Sequence, residues 1–184
     1  MPYTLEAFCR DCAASLRADP GAGGKEQIRR NLERLLGNNT FVAEHCGPDA
    51  ALGVHVIYRD PELGFCVLAH VNREQRKSPP HDHGSSWAIY GQATGYTDMT
   101  EYRRRDGASG PGHADLEVTR RYRLEPGHAG LYDVRAIHAI AYGENARFVR
   151  VTGADLEQVP RLKYDLEAKS AVEVASATMQ RAQA

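Results

Sequence analysis

The sequence predicts an all-β protein, an antiparallel barrel preceded by two helices. Short apolar or alternating runs fill the chain from residue 52 onward, and turn residues separate them about every ten positions. Before residue 50 the apolar residues instead recur at helical spacing. Three histidines, His81, His83 and His138, stand at positions typical of strands. A small barrel with a metal site accounts for all three observations.

Two amphipathic helices are predicted in the N-terminal segment, residues 1–46. The first runs from Thr4, a residue suited to an N-cap, to Leu16, and its apolar residues lie three or four positions apart. A run of Pro and Gly residues then breaks the helix. The second runs from Lys25 to Leu36 and ends at Gly37, a residue suited to a C-cap. We expect this segment to pack on the barrel.

The barrel is assigned to residues 47–160, where the pattern changes to short β-like runs. Turn signals bound each run, and a long exposed loop is expected at 106–112. Beyond residue 160 the composition becomes charged and then rich in small residues, so we interpret 161–184 as a helical or disordered tail. The predicted strands are 53–58, 65–71, 87–90, 95–102, 118–124, 130–134, 137–142 and 147–152.

Charge and hydropathy favour a protein that acts on or binds a small molecule. The chain has 23 basic and 24 acidic residues and a net charge of −1, which gives no electrostatic reason to bind nucleic acid or an anionic membrane. No apolar stretch approaches the roughly 20 residues of a membrane span. The N-terminus lacks the basic and apolar regions of a signal peptide. We therefore expect a cytoplasmic monomer or homodimer with no nucleic acid or membrane partner.

The four cysteines predict neither a disulfide framework nor a redox centre. Cys9 and Cys12 have the spacing of redox and zinc motifs, but they lie in the first predicted helix and no second pair follows. Structural roles are the better interpretation for both. Cys46 is expected in a loop and Cys66 in the core of a strand.

The segment His81-Asp82-His83 carries the strongest chemical signal. Histidines two residues apart in a strand project from the same face. Two neighbouring imidazoles would repel each other if both were protonated, whereas a divalent ion holds both neutral. The lone histidine of the apolar run Ile137–Ile140, His138, is the candidate third ligand.

These motifs resemble those of a known superfamily. The run from Pro79 to Gly95 resembles the first cupin motif, and Ile137-His138 resembles the histidine of the second. Within the cupins, the chain most resembles the cysteine dioxygenase (thiol dioxygenase) family and its bacterial relatives, over roughly residues 50–156. Tyr58-Arg59-Asp60-Pro61 and the His-Asp-His-Gly run with a nearby Trp carry that match. The resemblance implies a double-stranded β-helix, also called a cupin or jelly-roll barrel.

The resemblance also implies a chemistry. It places Fe(II) on His81, His83 and His138, with zinc, manganese and nickel as alternative ions. Three imidazoles leave open positions on an octahedral ion for a small substrate and O₂. Arg59 falls where the family binds the substrate carboxylate, and a guanidinium can hold a carboxylate through two parallel hydrogen bonds.

Two departures from the family patterns matter. The glutamate that most cupins carry in the first motif is replaced by Ala88, and thiol dioxygenases also lack it. The family's Ser-x-His-x-Tyr triad is replaced by Phe148, Arg150 and Thr152. The phenol is therefore missing from its usual place, and Arg150 is expected to put a cation near the metal, suited to an anionic ligand. These replacements argue against cysteine itself as the substrate.

Three functions are therefore considered. The first is a non-haem iron dioxygenase of thiol-dioxygenase type, acting on a small carboxylate-bearing substrate. The second is a metal cupin of another class, a lyase, isomerase or hydrolase that uses the ion as a Lewis acid. The third is a non-enzymatic cupin that binds a metal or a metabolite. In all three, Trp87 and Tyr90 are expected in the barrel core, with Trp87 close enough to wall the pocket.

Some single residues keep alternative interpretations. Arg59 can pair with a surface acid such as Glu62 rather than with substrate. His55 and His70 lie in predicted strands and can line the cavity without binding metal. Tyr132 is a candidate to replace the missing phenol.

Overall fold

The structure, a computed structural model, describes residues 2–175. The first helix begins where the sequence predicts, and the Thr4 hydroxyl accepts a hydrogen bond from the Ala7 amide at 3.3 Å as its N-cap. The second helix begins at Ala22, three residues before the predicted Lys25. None of the described helices is long and apolar enough to cross a membrane. The helices are α1 (Leu5–Ala18), α2 (Ala22–Leu36) and α3 (Asn39–Cys46).

The third helix was not predicted. The side chain of Asn38 caps it by accepting from the amides of Thr40 at 3.0 Å and Phe41 at 3.4 Å. Only Phe41 and Cys46 are buried within it, so an eight-residue helix leaves no periodic apolar stripe in the sequence. The prediction that Cys46 lies in a loop is wrong, because it is the last residue of α3 and is fully buried.

All eight predicted strands are present, and four further strands join them. The additional strands are β3, β6, β11 and β12. In chain order the strands are β1 (Gly53–Arg59), β2 (Cys66–Val71), β3 (Arg76–Lys77), β4 (Ala88–Thr94), β5 (Thr97–Arg104), β6 (Gly112–His113), β7 (Leu116–Leu124), β8 (Ala129–Tyr132), β9 (Ile137–Tyr142), β10 (Arg147–Thr152), β11 (Arg161–Asp165) and β12 (Ser170–Val174).

The strands form antiparallel sheets that enclose the barrel interior. One sheet has the order β1-β2-β10-β4-β8, a second has β3-β9-β5-β7, and a third has β11-β12-β6. His81 pairs with His138 of β9 on one side and with Lys163 of β11 on the other, which joins the second and third sheets. The predicted fold class, an all-β double-stranded β-helix barrel with N-terminal helices, is confirmed.

The prediction of a helical or disordered tail from residue 161 is wrong for residues 161–174, which form the hairpin β11–β12. In β11, buried Leu162 and Tyr164 alternate with the more exposed Arg161 and Lys163. This period of two is the pattern of a half-buried strand. The rest of the predicted tail, from residue 176, lies outside the described residues.

The two faces of the five-stranded sheet have different partners. Val149 and Val151 of β10 face the helices and pack in one core with Leu32 of α2. Between them in sequence, Arg150 faces the barrel interior, as alternation along a strand requires. A Cβ at Gly91 would lie 2.8 Å from the Leu32 side chain, so glycine lets α2 approach the sheet closely.

The Cys-x-x-Cys pair belongs to this helical core. Cys9 and Cys12 are free thiols on the buried side of α1. Burial raises the pKa of the Cys9 thiol to about 12, and it raises the pKa of the Cys12 thiol further in the same direction. Protonated, buried thiols are neither redox nucleophiles nor metal ligands.

Candidate metal centre

Backbone pairing places His81 beside His138. The His81 amide donates to the His138 carbonyl at 2.9 Å, and the His138 amide returns a bond to the His81 carbonyl at 3.0 Å. Residues that exchange two such bonds in an antiparallel pair stand directly opposite each other, with side chains on one face. His83, two residues after His81, projects to the same side.

The three imidazoles converge as the sequence predicts. Ring centroids lie 4.7 Å apart for His81 and His138, 4.9 Å for His83 and His138, and 5.5 Å for His81 and His83. One potential ligand atom from each side chain lies within 4.8 Å of the other two. This is a cluster that one metal ion can join.

Asp82 fixes the two histidines that flank it. Its side chain is buried, and its Oδ1 accepts hydrogen bonds from the amides of Gly84 at 2.9 Å and Leu162 at 3.0 Å. The Tyr164 hydroxyl donates to its Oδ2 at 3.3 Å. One carboxylate therefore ties the histidine segment to β11, the strand absent from the sequence prediction.

Hydrogen bonding leaves nitrogens available for a metal. His81 Nδ1 lies 3.0 Å from the Pro79 carbonyl, and a proton on Nδ1 leaves Nε2 with its lone pair free. His138 is fully buried, and neither of its ring nitrogens has a hydrogen-bond partner in the described part of the chain. A buried, unpartnered imidazole is costly unless something binds it. The donor set thus fits a divalent ion.

Burial keeps the three imidazoles neutral, the state that a metal ligand needs. It lowers the pKa of His81 below its usual value, against the opposing hydrogen bond to Pro79. The pKa values of His83 and His138 lie well below the usual value, first because of burial and then because of neighbouring positive charge. The cluster therefore does not need protonation changes to accept a metal near neutral pH.

A phenol does reach the site, but from a different strand than the family pattern implies. The hydroxyl of Tyr90, on β4, lies 3.2 Å from His83 Nε2. Tyr132 does not take this role, since its hydroxyl is hydrogen-bonded to the Tyr122 hydroxyl while its ring packs 4.3 Å from the His138 ring. Tyr90 is buried as predicted, yet its hydroxyl faces the histidines.

The cluster opens on a cavity of about 590 Å³ inside the barrel. His81 and His83 line it, as do Tyr90 and all three residues at the positions of the family's triad: Phe148, Arg150 and Thr152. Arg150 pairs across the sheet with Tyr90 of β4 and with Leu68 of β2. The structure therefore brings the predicted Arg150 to the same cavity as the histidines.

Arg150 has no counter-ion among the described residues, and its buried Nε has no hydrogen-bond partner. Its positive charge lowers the pKa values of His70, His81, His83 and His138. An unpaired guanidinium in a partly enclosed space favours an anion at this point of the cavity.

Arg59 lines the cavity, but it is exposed and already paired. Its side chain is 48% exposed, and it forms an ion pair of 2.7 Å with Asp155. Glu62, the alternative partner considered for it, instead pairs with Arg17. A substrate carboxylate can reach Arg59 only in competition with Asp155, so its predicted anchoring role remains a prediction.

The remaining candidates, His70, His55 and Trp87, differ in whether they line the cavity. His70 lines the cavity, and its Nε2 is buried without a partner. His55 does not line the cavity, since its Nε2 bonds to the Ala51 carbonyl at 2.8 Å. Trp87 packs in the core under the helices and does not wall the cavity.

Arg161 and Lys163 also line the cavity and were missed at the sequence level. They lie in the segment interpreted as a tail, although the polar–apolar alternation of residues 161–165 is a signal that identifies a strand. The role of Tyr90 had no comparable signal, because its reach to His83 depends on the pairing of β4 with β10.

No family model and no curated protein matches the chain. Similar solved structures include KdgF from Halomonas sp., with 13% identity and a TM-score of 0.41 over 54% of this chain and 76% of that one. A cupin superfamily protein from Desulfitobacterium hafniense has 12% identity and a TM-score of 0.42, over 58% and 84% of the two chains. L-ribose isomerase from Acinetobacter sp. DL28 has 14% identity and a TM-score of 0.43, over 54% and 57%.

Proposed function

We propose that this chain is a metal-dependent enzyme of the thiol-dioxygenase type, a non-haem iron protein that oxidises a small carboxylate-bearing thiol with O₂. The overall reaction adds both oxygen atoms of O₂ to one sulfur atom and converts the thiolate to a sulfinate. The observation that carries the proposal is the all-imidazole cluster of His81, His83 and His138, two of which line a cavity together with Arg150, a guanidinium without an ion-pair partner among the described residues.

The donor set supports this chemistry over simple structural metal binding. Structural zinc sites use four protein ligands, whereas three imidazoles leave positions for reactants. When bound, a ferrous ion supplies redox chemistry and open coordination positions for the thiolate and O₂. No carboxylate from the first motif competes for those positions, because Ala88 occupies the place of the glutamate.

The chain's own residues orient the reactants. Arg150 lines the cavity, and its guanidinium would bind the substrate carboxylate through two parallel hydrogen bonds. The Tyr90 hydroxyl lies 3.2 Å from His83 Nε2, and with a metal on that nitrogen its O–H would be available to donate to a group held at the cluster. The buried Phe148 ring excludes water from the wall beside Arg150.

A second candidate function uses the same centre for Lewis-acid chemistry, as in a lyase or isomerase. His70 favours it, because this buried imidazole lines the cavity with an unpartnered Nε2, and burial and then Arg150 hold its pKa well below the usual value, so that the neutral ring can accept a proton or a hydrogen bond there. Turnover that continues without O₂ would support this candidate over a dioxygenase.

Oxygen uptake tests the proposal. Protein loaded anaerobically with Fe(II) is mixed with 3-mercaptopropionate or with larger thiol carboxylates, and both O₂ consumption and sulfinate formation are measured. We expect one O₂ consumed per sulfinate formed. Absence of thiol-dependent O₂ uptake by iron-loaded protein, across these thiols, would reject the proposal.

L-cysteine is expected to be a poor substrate. Its α-ammonium group stands on the carbon that bears the carboxylate, so binding of that carboxylate by Arg150 would bring the ammonium close to the cationic guanidinium. We expect this unfavourable contact to make kcat/KM for L-cysteine about 10-fold or more lower than kcat/KM for 3-mercaptopropionate, which lacks the ammonium. Steady-state O₂ uptake compares the two thiols, and equal kcat/KM values would contradict the prediction.

Arg150→Gln and Arg59→Gln are expected to differ. Loss of the unpaired cavity guanidinium removes a charge-assisted hydrogen bond, worth about 10- to 150-fold in substrate affinity. Loss of Arg59, which is exposed and already paired with Asp155, is expected to cost about threefold or less. The KM and kcat of the two variants decide the point. A larger loss of substrate affinity in Arg59→Gln than in Arg150→Gln would contradict the prediction and identify Arg59 as the residue that binds the carboxylate.

A further inference from the structure

The cavity lining is strongly basic, although the whole chain is nearly neutral at −1. Two acids, Asp155 and Glu157, lie among the lining residues, and Asp155 is already paired with Arg59. The lining contains six cations: Arg59, Arg76, Lys77, Arg150, Arg161 and Lys163. A concentration of like charge around one cavity is costly unless an anion occupies it.

Two of these cations line the cavity from strands of different sheets. Arg150 lies on β10 in the five-stranded sheet, and Arg161 lies on β11, the strand that flanks His81 on the other side. Both guanidiniums line the same cavity as His81 and His83, and Leu162, the neighbour of Arg161, donates its amide at 3.0 Å to Asp82, which lies between those two histidines. Neither has a carboxylate partner in the described part of the chain.

The local contacts of Arg161 leave its charge available. One of its NH groups donates to the Leu156 carbonyl at 2.9 Å, which orients the side chain without neutralising it. The alternation of β11 sends Leu162 and Tyr164 into the core and directs Arg161 and Lys163 to the cavity side. Arg161 is therefore a positioned cation at the cavity wall.

We propose that Arg150 and Arg161 form a two-point anion clamp and that the substrate of this cavity carries two separated anionic groups, as a dicarboxylate does. The clamp rests on the proposed function only in its choice of a thiol; the binding of two anionic groups does not require turnover. A cavity of about 590 Å³ has room for a small dicarboxylate between its walls.

Two thiols that differ by a single carboxylate test the clamp. Mercaptosuccinate is 3-mercaptopropionate with a second carboxylate on the sulfur-bearing carbon, so any contribution of the thiol is common to both. Anaerobic calorimetry on the protein as purified gives both dissociation constants without turnover. We expect mercaptosuccinate to bind about 10- to 150-fold more tightly, the worth of one charge-assisted hydrogen-bonded pair.

Variants assign the second contact. Arg161→Gln should reduce the preference for mercaptosuccinate to about threefold or less while leaving the affinity for 3-mercaptopropionate nearly unchanged. Arg161→Lys keeps the positive charge but loses the two parallel N–H donors of the guanidinium, so it should retain part of the preference for mercaptosuccinate. Arg103→Gln, which removes an exposed cation outside the cavity, is the matched control and should retain all of it. Thermal unfolding confirms that each variant is folded.

The outcomes separate the clamp from the proposed activity. Equal affinities for the two thiols in the unmodified protein, or a preference that survives Arg161→Gln, would overturn the clamp even if O₂ uptake is observed. A preference that is lost in Arg161→Gln and retained in Arg103→Gln would sustain the clamp even if no thiol is oxidised. Succinate, a dicarboxylate, and inorganic phosphate, a single anionic group, are titrated in the same way as probes without sulfur. Phosphate that binds as tightly as succinate would show a single anion subsite and would also overturn the clamp.

Discussion

His83→Ala is expected to abolish stoichiometric metal binding at neutral pH. The variant leaves two imidazoles, His81 and His138, and no carboxylate within residues 2–175 joins the cluster to replace the third. Two neutral imidazoles without a third protein ligand hold a divalent ion far more weakly than three. Metal content after anaerobic loading and desalting, measured by elemental analysis, checks this result.

The matched control is His113→Ala, which also removes one histidine but from an exposed position on β6 outside the cavity. It should retain full metal content. Thermal unfolding of the metal-free forms shows whether each chain is folded. Full metal retention by folded His83→Ala would show that the cluster is not the metal site.

Asp82→Ala is expected to lower the free energy of unfolding by about 2–5 kcal/mol. The substitution leaves the amides of Gly84 and Leu162 without their acceptor and removes the partner of the Tyr164 hydroxyl. These groups are buried, so water cannot easily replace the carboxylate. Urea unfolding of the metal-free protein measures the change directly.

Asp165→Ala provides a matched control for Asp82→Ala. The Asp165 carboxylate also accepts two amide hydrogen bonds, from Glu167 and Ala168, both at 2.9 Å, but it does so at an exposed turn. Its loss should cost about 1 kcal/mol, since water can reach those amides. Equal effects at the two positions would show that Asp82 does not hold the histidine segment.

The strand pattern and the three histidines were predictable because both follow local rules. Alternation and turn residues identified eight strands, and the His-x-His spacing put two ligands on one face. The approach of His138 to the other two histidines could be known only from the fold. A lone histidine in an apolar run was nevertheless unusual enough to mark it as a candidate. Arg150 was predicted from the family pattern, and its strand register places it in the cavity.

Other features depended on pairings that the sequence does not display. The helix α3 is too short to show a stripe, and β3 and β6 contain two residues each. The hairpin β11–β12 is stabilised by its bonds to Pro80 and Asp82, which lie about 80 residues earlier in the chain. Arg161 and Tyr90 gain their roles through such long-range register, so composition alone could not assign them.

The central claim is that one metal ion binds to His81, His83 and His138, and metal analysis of the unmodified protein tests it most directly. Protein purified without chelators, or loaded with Fe(II), should contain about one metal ion per chain, and X-ray absorption at the metal edge should show imidazole nitrogens at about 2.0–2.2 Å. Failure to retain stoichiometric iron, zinc, manganese or nickel, or a spectrum with sulfur ligands, would contradict the claim.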